Sequence, residues 1–205
     1  MGDLLKIGDA GFKTGFHKNG NVQGIMANFN GKYSVNTPFG KDKKHIAFTG
    51  TAADFGIYVN DNTDNLVHFA HGAEVFSGVD FAFNNNPALR TGTKLQLKGQ
   101  YKLFNGVDKQ FGTTGIFQNS YYVENDAFGL NLDLNYKYKN YGCYADKLKM
   151  NKGEHYVGSG LELSLRPEKS NVTLFANSNV EFPVKKTISP QDLEGDISIG
   201  LKINF

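Results

Sequence analysis

Lysines at a regular spacing are the residues of this sequence whose type and placement point to chemistry. Lys94, Lys98 and Lys102 recur at every fourth position. In an extended strand side chains alternate between two faces, so all three share one face. Lys137 and Lys139 repeat the arrangement more closely, and Lys32, Arg166 and Lys202 fall on the polar face of their own segments. Along a narrow water-filled bore, such a row of cations attracts anions and repels cations. Glu74, Asp80, Asp133, Glu162, Glu181 and Asp196 fall on the same kind of face and would offset part of that charge. The set reads as an anion-selective lining, and equally as a balanced interior plugged by ion pairs. With the two faces reversed, the same lysines are a solvated outer surface.

Other groupings are weaker. His68 and His71 are three apart, so a strand sends them to opposite faces and they cannot share a metal. His68 and Glu74 share a face but stand about 20 Å apart at 3.3 Å per residue. No His-x-Ser pairing sets a base beside a nucleophile. Asp61, Asp64, Asp126 and His155 fall near turns, where acids and an Asp–His couple would suit a hydrolase, but their spacing fixes no geometry. Asp61-Asn-Thr-Asp64 lacks the spaced oxygen ligands and closing Glu of a calcium loop. No Gly-rich cradle precedes a helix, and Cys143 reads as a packing residue. No catalytic activity, metal or cofactor is expected.

The elements that position these residues alternate with period two. Phe128, Leu130, Leu132, Leu134, Tyr136 and Tyr138 share one face, opposite Gly129, Asn131, Asp133, Asn135 and Lys137. Ile197, Ile199, Leu201, Ile203 and Phe205 repeat the pattern against Asp196, Ser198, Gly200, Lys202 and Asn204. Residues 94–103, 157–166, 172–182, 25–35 and 67–83 do the same, with His71, Ser77 and Ser178 as polar intrusions on the apolar side. The segments near 4–17 and 44–60 change phase midway, which a bulge would explain. Asn- and Gly-rich turn clusters, such as Lys18-Asn-Gly-Asn21 and Asn84-Asn-Asn-Pro87, separate the runs. Short connections make neighbours antiparallel, so the chain reads as a single up-and-down domain over residues 1–205.

Composition narrows the class. No stretch approaches the roughly 18 apolar residues of a membrane helix. The net charge of +2 is too small to argue for nucleic acid. Cys143 is the single cysteine, so disulfides within the chain are out. No basic segment followed by an apolar stretch opens the sequence, so no signal peptide is visible; a mature exported chain would look the same.

Alternation alone does not say which way the apolar face points. Runs of 11–17 residues exceed the 9–11 or so needed to cross the hydrocarbon at a tilt. The opposite face is rich in Gly, Asn, Ser, Thr, Gln and Lys, which suits a wet interior. Tyrosines cluster at strand ends: Tyr136, Tyr138, Tyr141 and Tyr144 near one turn, Tyr121 and Tyr122 near another. Such rings favour the membrane–water boundary. The ending Ile197-Ser-Ile-Gly-Leu-Lys-Ile-Asn-Phe205 also resembles the terminal strand of bacterial outer-membrane β-barrel proteins. The resemblance implies an outer-membrane location, contact with the bilayer and its lipopolysaccharide, and recognition of Phe205 by the barrel-assembly machinery.

Counting every turn signal gives eleven strands, whereas single-chain bacterial barrels normally have an even number. Residues 111–122 alternate poorly and read as part of a long loop, leaving ten strands; twelve is the alternative. Without a strand there, Lys137 and Lys139 join Lys94, Lys98 and Lys102 on one wall. The expectation is therefore an all-β, closed, antiparallel transmembrane barrel acting as a small porin-like channel. It would pass small anionic or polar solutes, with loops 105–126 and 183–195 at one mouth. A sealed barrel working through its loops, and a soluble lipocalin-like binder with its apolar face inward, are the rivals. Solute identity and oligomeric state are not legible.

Overall fold

The computed structural model describes residues 5–19, 22–60, 67–84, 86, 88–105, 110–143, 154–168, 170–185 and 193–205. Ten strands are described: β1 (Leu5–Asn19), β2 (Val22–Phe39), β3 (His45–Asn60), β4 (Val67–Ala82), β5 (Arg90–Asn105), β6 (Gln110–Glu124), β7 (Phe128–Cys143), β8 (Glu154–Leu165), β9 (Val172–Pro183) and β10 (Glu194–Asn204). Each pairs antiparallel with its sequence neighbours, and β10 returns to pair with β1, closing the barrel. Closure leaves every strand with a neighbour on both sides, so ladder groups across the span are paired within the wall, as a passage through lipid requires. At the seam, Gly8 and Phe205 exchange both backbone hydrogen bonds, at 3.1 and 2.9 Å.

The two ends differ. The connections after β2, β4, β6 and β8 lie at the end where β1 begins and β10 finishes, called here the lower end. Asparagine side chains tie two of these turns. Asn125 Oδ1 accepts from the Ala127 and Phe128 amides at 2.9 and 2.7 Å, and Asn84 Nδ2 donates to the Leu89 carbonyl at 2.9 Å. This is the local side-chain-to-backbone bonding that makes Asn a turn residue. Gly40, at φ 88°, turns β2 into β3, and Pro38 and Phe39 before it are still paired with Ile46 and His45. The remaining connections emerge at the opposite end, called here the upper end; residues 106–109 and 186–192 of the two expected mouth loops lie outside the described residues.

Two expectations are corrected. Residues 111–122 are not loop but most of β6, paired in register from Gln110↔Cys143 to Glu124↔Gly129. Alternation is blurred there because Ile116 and Tyr122 take inward positions while Thr113, Gly115 and Asn119 face out. Nor do β1 and β3 contain bulges: their registers run unbroken along both partners. The phase change is one of composition, since Leu5, Ile7, Ile46 and Phe48 occupy the inward face near the lower end.

Candidate functional site

Closing a sheet crowds its inner side chains together and leaves the outer ones open. The outer set here is apolar. Ile25, Leu97, Ile197 and Ile199 each keep about 63–65% of their surface exposed, and Leu132, Leu134, Leu201 and Ile203 are also exposed, with Leu130 on the same face. Asn28, Ser34, Asp80, Gln96, Ser120, Thr173 and Ser198 are buried on the other side. Water does not tolerate an apolar belt of this extent on a monomer, whereas a bilayer requires one. The chain is a transmembrane β-barrel. A lipocalin-like arrangement, with the apolar face inward, is not what it adopts. His71 and Ser77 do face out, and His155 does too, its Nδ1 2.5 Å from the Tyr136 hydroxyl within an aromatic group that includes Tyr138. Tyr121 joins the outer face. Tyr122 does not: it points inward.

The inner face divides along the barrel axis. In the upper half, Lys137 and Lys139 both reach Glu181, and Lys139 also contacts Glu194. Lys139 stands in addition 4.0 Å over the Tyr156 ring. These pairs link β7, β9 and β10 inside the barrel. Lys13 meets Asp196 at 3.8 Å. Lys13, Lys137, Glu181 and Asp196 also line a cavity of about 360 Å³, together with Glu74, Lys98, Gln118, Asp133 and Glu162. Lys98 and Glu74 are 4.0 Å apart, and Asp133 accepts from Asn131 Nδ2 at 2.8 Å.

The lower half is built differently, around glycines. Gly50 lies directly across from Phe76, Gly78 from Phe48, Gly200 from Phe175, and Gly92 from Tyr122. In each pair the ring lies on the glycine: a Cβ there would come within 2.5–2.6 Å of a ring carbon. The first two pairs interlock, because Phe48-Thr-Gly50 on β3 runs against Phe76-Ser-Gly78 on β4. Over each ring sits a cation. Lys32 Nζ is 4.7 Å from the Phe76 centroid, Lys94 Nζ 5.8 Å from Phe48, Lys202 Nζ 6.0 Å from Phe175, and the Arg90 guanidinium carbon 5.2 Å from Tyr122. A cation over a ring face gains about 0.5–2 kcal/mol, more as water is excluded. Glycine, ring and cation therefore form a layered lining repeated four times. The Phe-x-Gly repeat, Phe48-Thr-Gly50 in β3 and Phe76-Ser-Gly78 in β4, is the sequence signal of this lining.

The expected site residues separate accordingly. Lys94, Lys98 and Lys32 occupy inward positions in the middle and lower bore. Lys102 keeps the register of the row, opposite Gly72, but its side chain lies outside the described residues. Lys137 and Lys139 do not share a wall with the β5 lysines, because β6 stands between. Asp80 is not a free lining acid: it accepts from the Tyr122 hydroxyl at 2.7 Å and pairs with Arg90 at 3.1 Å, while Arg90 also holds Glu124 at 2.9 Å. Arg166 follows β8 at the lower mouth, its Nε 3.5 Å from Thr173 Oγ1. Among the described residues, Lys32, Lys94 and Lys202 make no ion pair. Asp126 and His155 lie at opposite ends and cannot form one site, and Asp61 and Asp64 lie outside the described residues, as does the side chain of Cys143. No metal-binding group of three or more ligands occurs among the described residues.

No protein-family model matches the chain, and no curated protein matches it. Many solved structures are similar to it, three of them as follows. The translocator domain of the autotransporter NalP from Neisseria meningitidis gives a TM-score of 0.47 at 12% identity, covering 100% of this chain and 89% of that one. An outer membrane channel from Pseudomonas putida F1 gives 0.46 at 6%, covering 98% and 95%. The outer membrane protease OmpT from Escherichia coli gives 0.44 at 11%, covering 98% and 96%. At such scores and identities none of them bears on what this chain does.

Proposed function

We propose that this barrel sits in a bacterial outer membrane and passes small polar or anionic solutes passively, with anion preference set in its lower bore. The observation that carries the reading is the ring-seated trio Lys32, Lys94 and Lys202, whose ammonium groups make no ion pair among the described residues. Lys98, Lys137 and Lys139, by contrast, are balanced by Glu74, Glu181 and Glu194 and contribute little net field. Diffusion along a polar bore needs no catalytic group, only a lining whose charge favours one sign of ion. The test is single-channel recording in a planar bilayer under a tenfold KCl gradient. The reversal potential should show chloride preference in the wild type and lose it when Lys32, Lys94 and Lys202 are changed together to Gln. Silence in the bilayer would refute the channel and leave a sealed barrel whose work lies in its loops.

A further inference from the structure

The cavity in the bore is lined by residues of β1 and of β4–β10, so it occupies the lumen itself rather than a crevice in the wall. Its volume of about 360 Å³ lies in the range of small-molecule sites and is far more than a bare ion fills. Charged side chains of both signs line it, and they are unequally engaged. Lys137 is held by Glu181. Lys98 lies 4.0 Å from Glu74 and Lys13 3.8 Å from Asp196, beyond hydrogen-bond reach, so both ammonium groups keep donors to offer. Two carboxylates are left without a counter-ion. Asp133 accepts from Asn131 Nδ2 at 2.8 Å and makes no ion pair, and Glu162 makes neither hydrogen bond nor ion pair among the described residues.

Those two carboxylates are neighbours. Glu162 on β8 stands directly across from Asn131 on β7, and Asp133 is two residues further along β7. Diagonal positions of this kind lie about 7–8 Å apart, a gap that one ammonium group bridges with a charge-assisted hydrogen bond to each side. Lys98 lines the same cavity from β5, and after Glu74 the charge that bears on it most is that of Asp133. The amides of Gln118 and Asn177 complete a polar surround.

We propose that this cavity binds a small zwitterion, with its ammonium group between Asp133 and Glu162 and its carboxylate on Lys98. The rest of the bore favours the same class. Lys32, Lys94 and Lys202, which stand outside the cavity, disfavour a bare cation, and a bare anion finds no partner in Asp133 and Glu162. A solute carrying both signs meets a counter-charge at each place. The site deepens the channel reading by naming a substrate class, and it rests on that reading for passage but not for binding. A barrel that binds but is silent in the bilayer would refute transport alone, and one that conducts without binding would refute this site alone.

The test is calorimetric titration of γ-aminobutyrate, butylamine and butyrate at pH 7 and low salt into the full-length barrel in detergent. Heat-modifiable migration on a gel confirms the fold of every variant. Saturable binding of γ-aminobutyrate is expected, about tenfold or more tighter than that of either compound lacking one charged end, as loss of a charge-assisted hydrogen bond predicts. Asp133→Asn and Glu162→Gln should each weaken it about tenfold without weakening butyrate, and Lys98→Gln should weaken it without weakening butylamine. Lys41→Gln, in an exposed turn, should leave it unchanged. No saturable binding, butylamine or butyrate binding as tightly as γ-aminobutyrate, or undiminished binding in all three cavity variants would each overturn the site.

Discussion

Changing Gly78 to Ala tests the layered lining at its base. A Cβ at Gly78 would stand 2.6 Å from Phe48 Cζ, with the Leu95 carbonyl oxygen also in its way. Ordinary contact between carbons lies near 3.5–4.0 Å, so the ring must lift by about 1 Å into the bore. That moves it toward Lys94, whose Nζ already stands 5.8 Å from its centroid. Overpacking of this kind costs about 1–3 kcal/mol. Two obstructions contribute, and a double-mutant cycle separates them. Phe48→Leu removes the ring but not the carbonyl, so Gly78→Ala should be milder in the Phe48→Leu background by about 0.5 kcal/mol or more. Gly99→Ala is the control: it faces outward with its nearest contact at an ordinary 3.6 Å, and should be neutral or slightly stabilising. The measurement is urea unfolding of the barrel refolded into lipid vesicles, followed by far-ultraviolet circular dichroism. Strict additivity in the cycle, or equal losses at Gly78 and Gly99, would show that the Phe48 ring does not rest on this glycine.

Three further outcomes follow from the same geometry. Leu134→Lys places a charge on the lipid face and should cost about 2–4 kcal/mol of unfolding free energy in vesicles if the position lies near the midplane, whereas Asn135→Lys on the inner face should cost far less; equal costs would reverse the orientation. Tyr122→Phe leaves the buried Asp80 carboxylate short of the donor that holds it at 2.7 Å, and should destabilise by about 1–3 kcal/mol in the same assay. Glu181→Gln releases Lys137 and Lys139 from the carboxylate they share, so chloride preference in bilayer recordings should increase, and no change would mean that these lysines lie off the conducting path.

Much of this fold is written in side-chain alternation, and the exceptions share one cause. Where the inner face is polar, as in β7, β8 and β10, period two is clean and both faces can be read residue by residue. Where the inner face turns apolar, as with Phe48, Phe76, Ile116, Tyr122 and Phe175, the contrast between faces disappears. β6 is not legible from alternation for that reason, and β1 and β3 read as changing phase for the same one. The direction of the lysines was legible because parity fixes it. Their partners were not, because whether Lys137 meets Glu181 depends on β7 and β9 being separated only by β8, a fact of topology rather than of spacing.

The same difference explains why one residue type behaves in two ways inside one barrel. A lumen lysine has two stabilising options, a carboxylate across the bore or an aromatic face beside it. In the upper half, Glu181 and Glu194 lie within reach, and even Lys139, with Tyr156 beneath it, pairs with both. In the lower half Asp80 and Glu124 are engaged by Arg90, the lysines stand over rings, and each ring lies against a glycine directly across from it. An alanine at Gly50, Gly78 or Gly200 would push the ring off the wall and its lysine with it. Charge in the lower bore is thus placed by residues that carry none, and removing a methyl-free position there should alter ion preference as surely as removing a lysine.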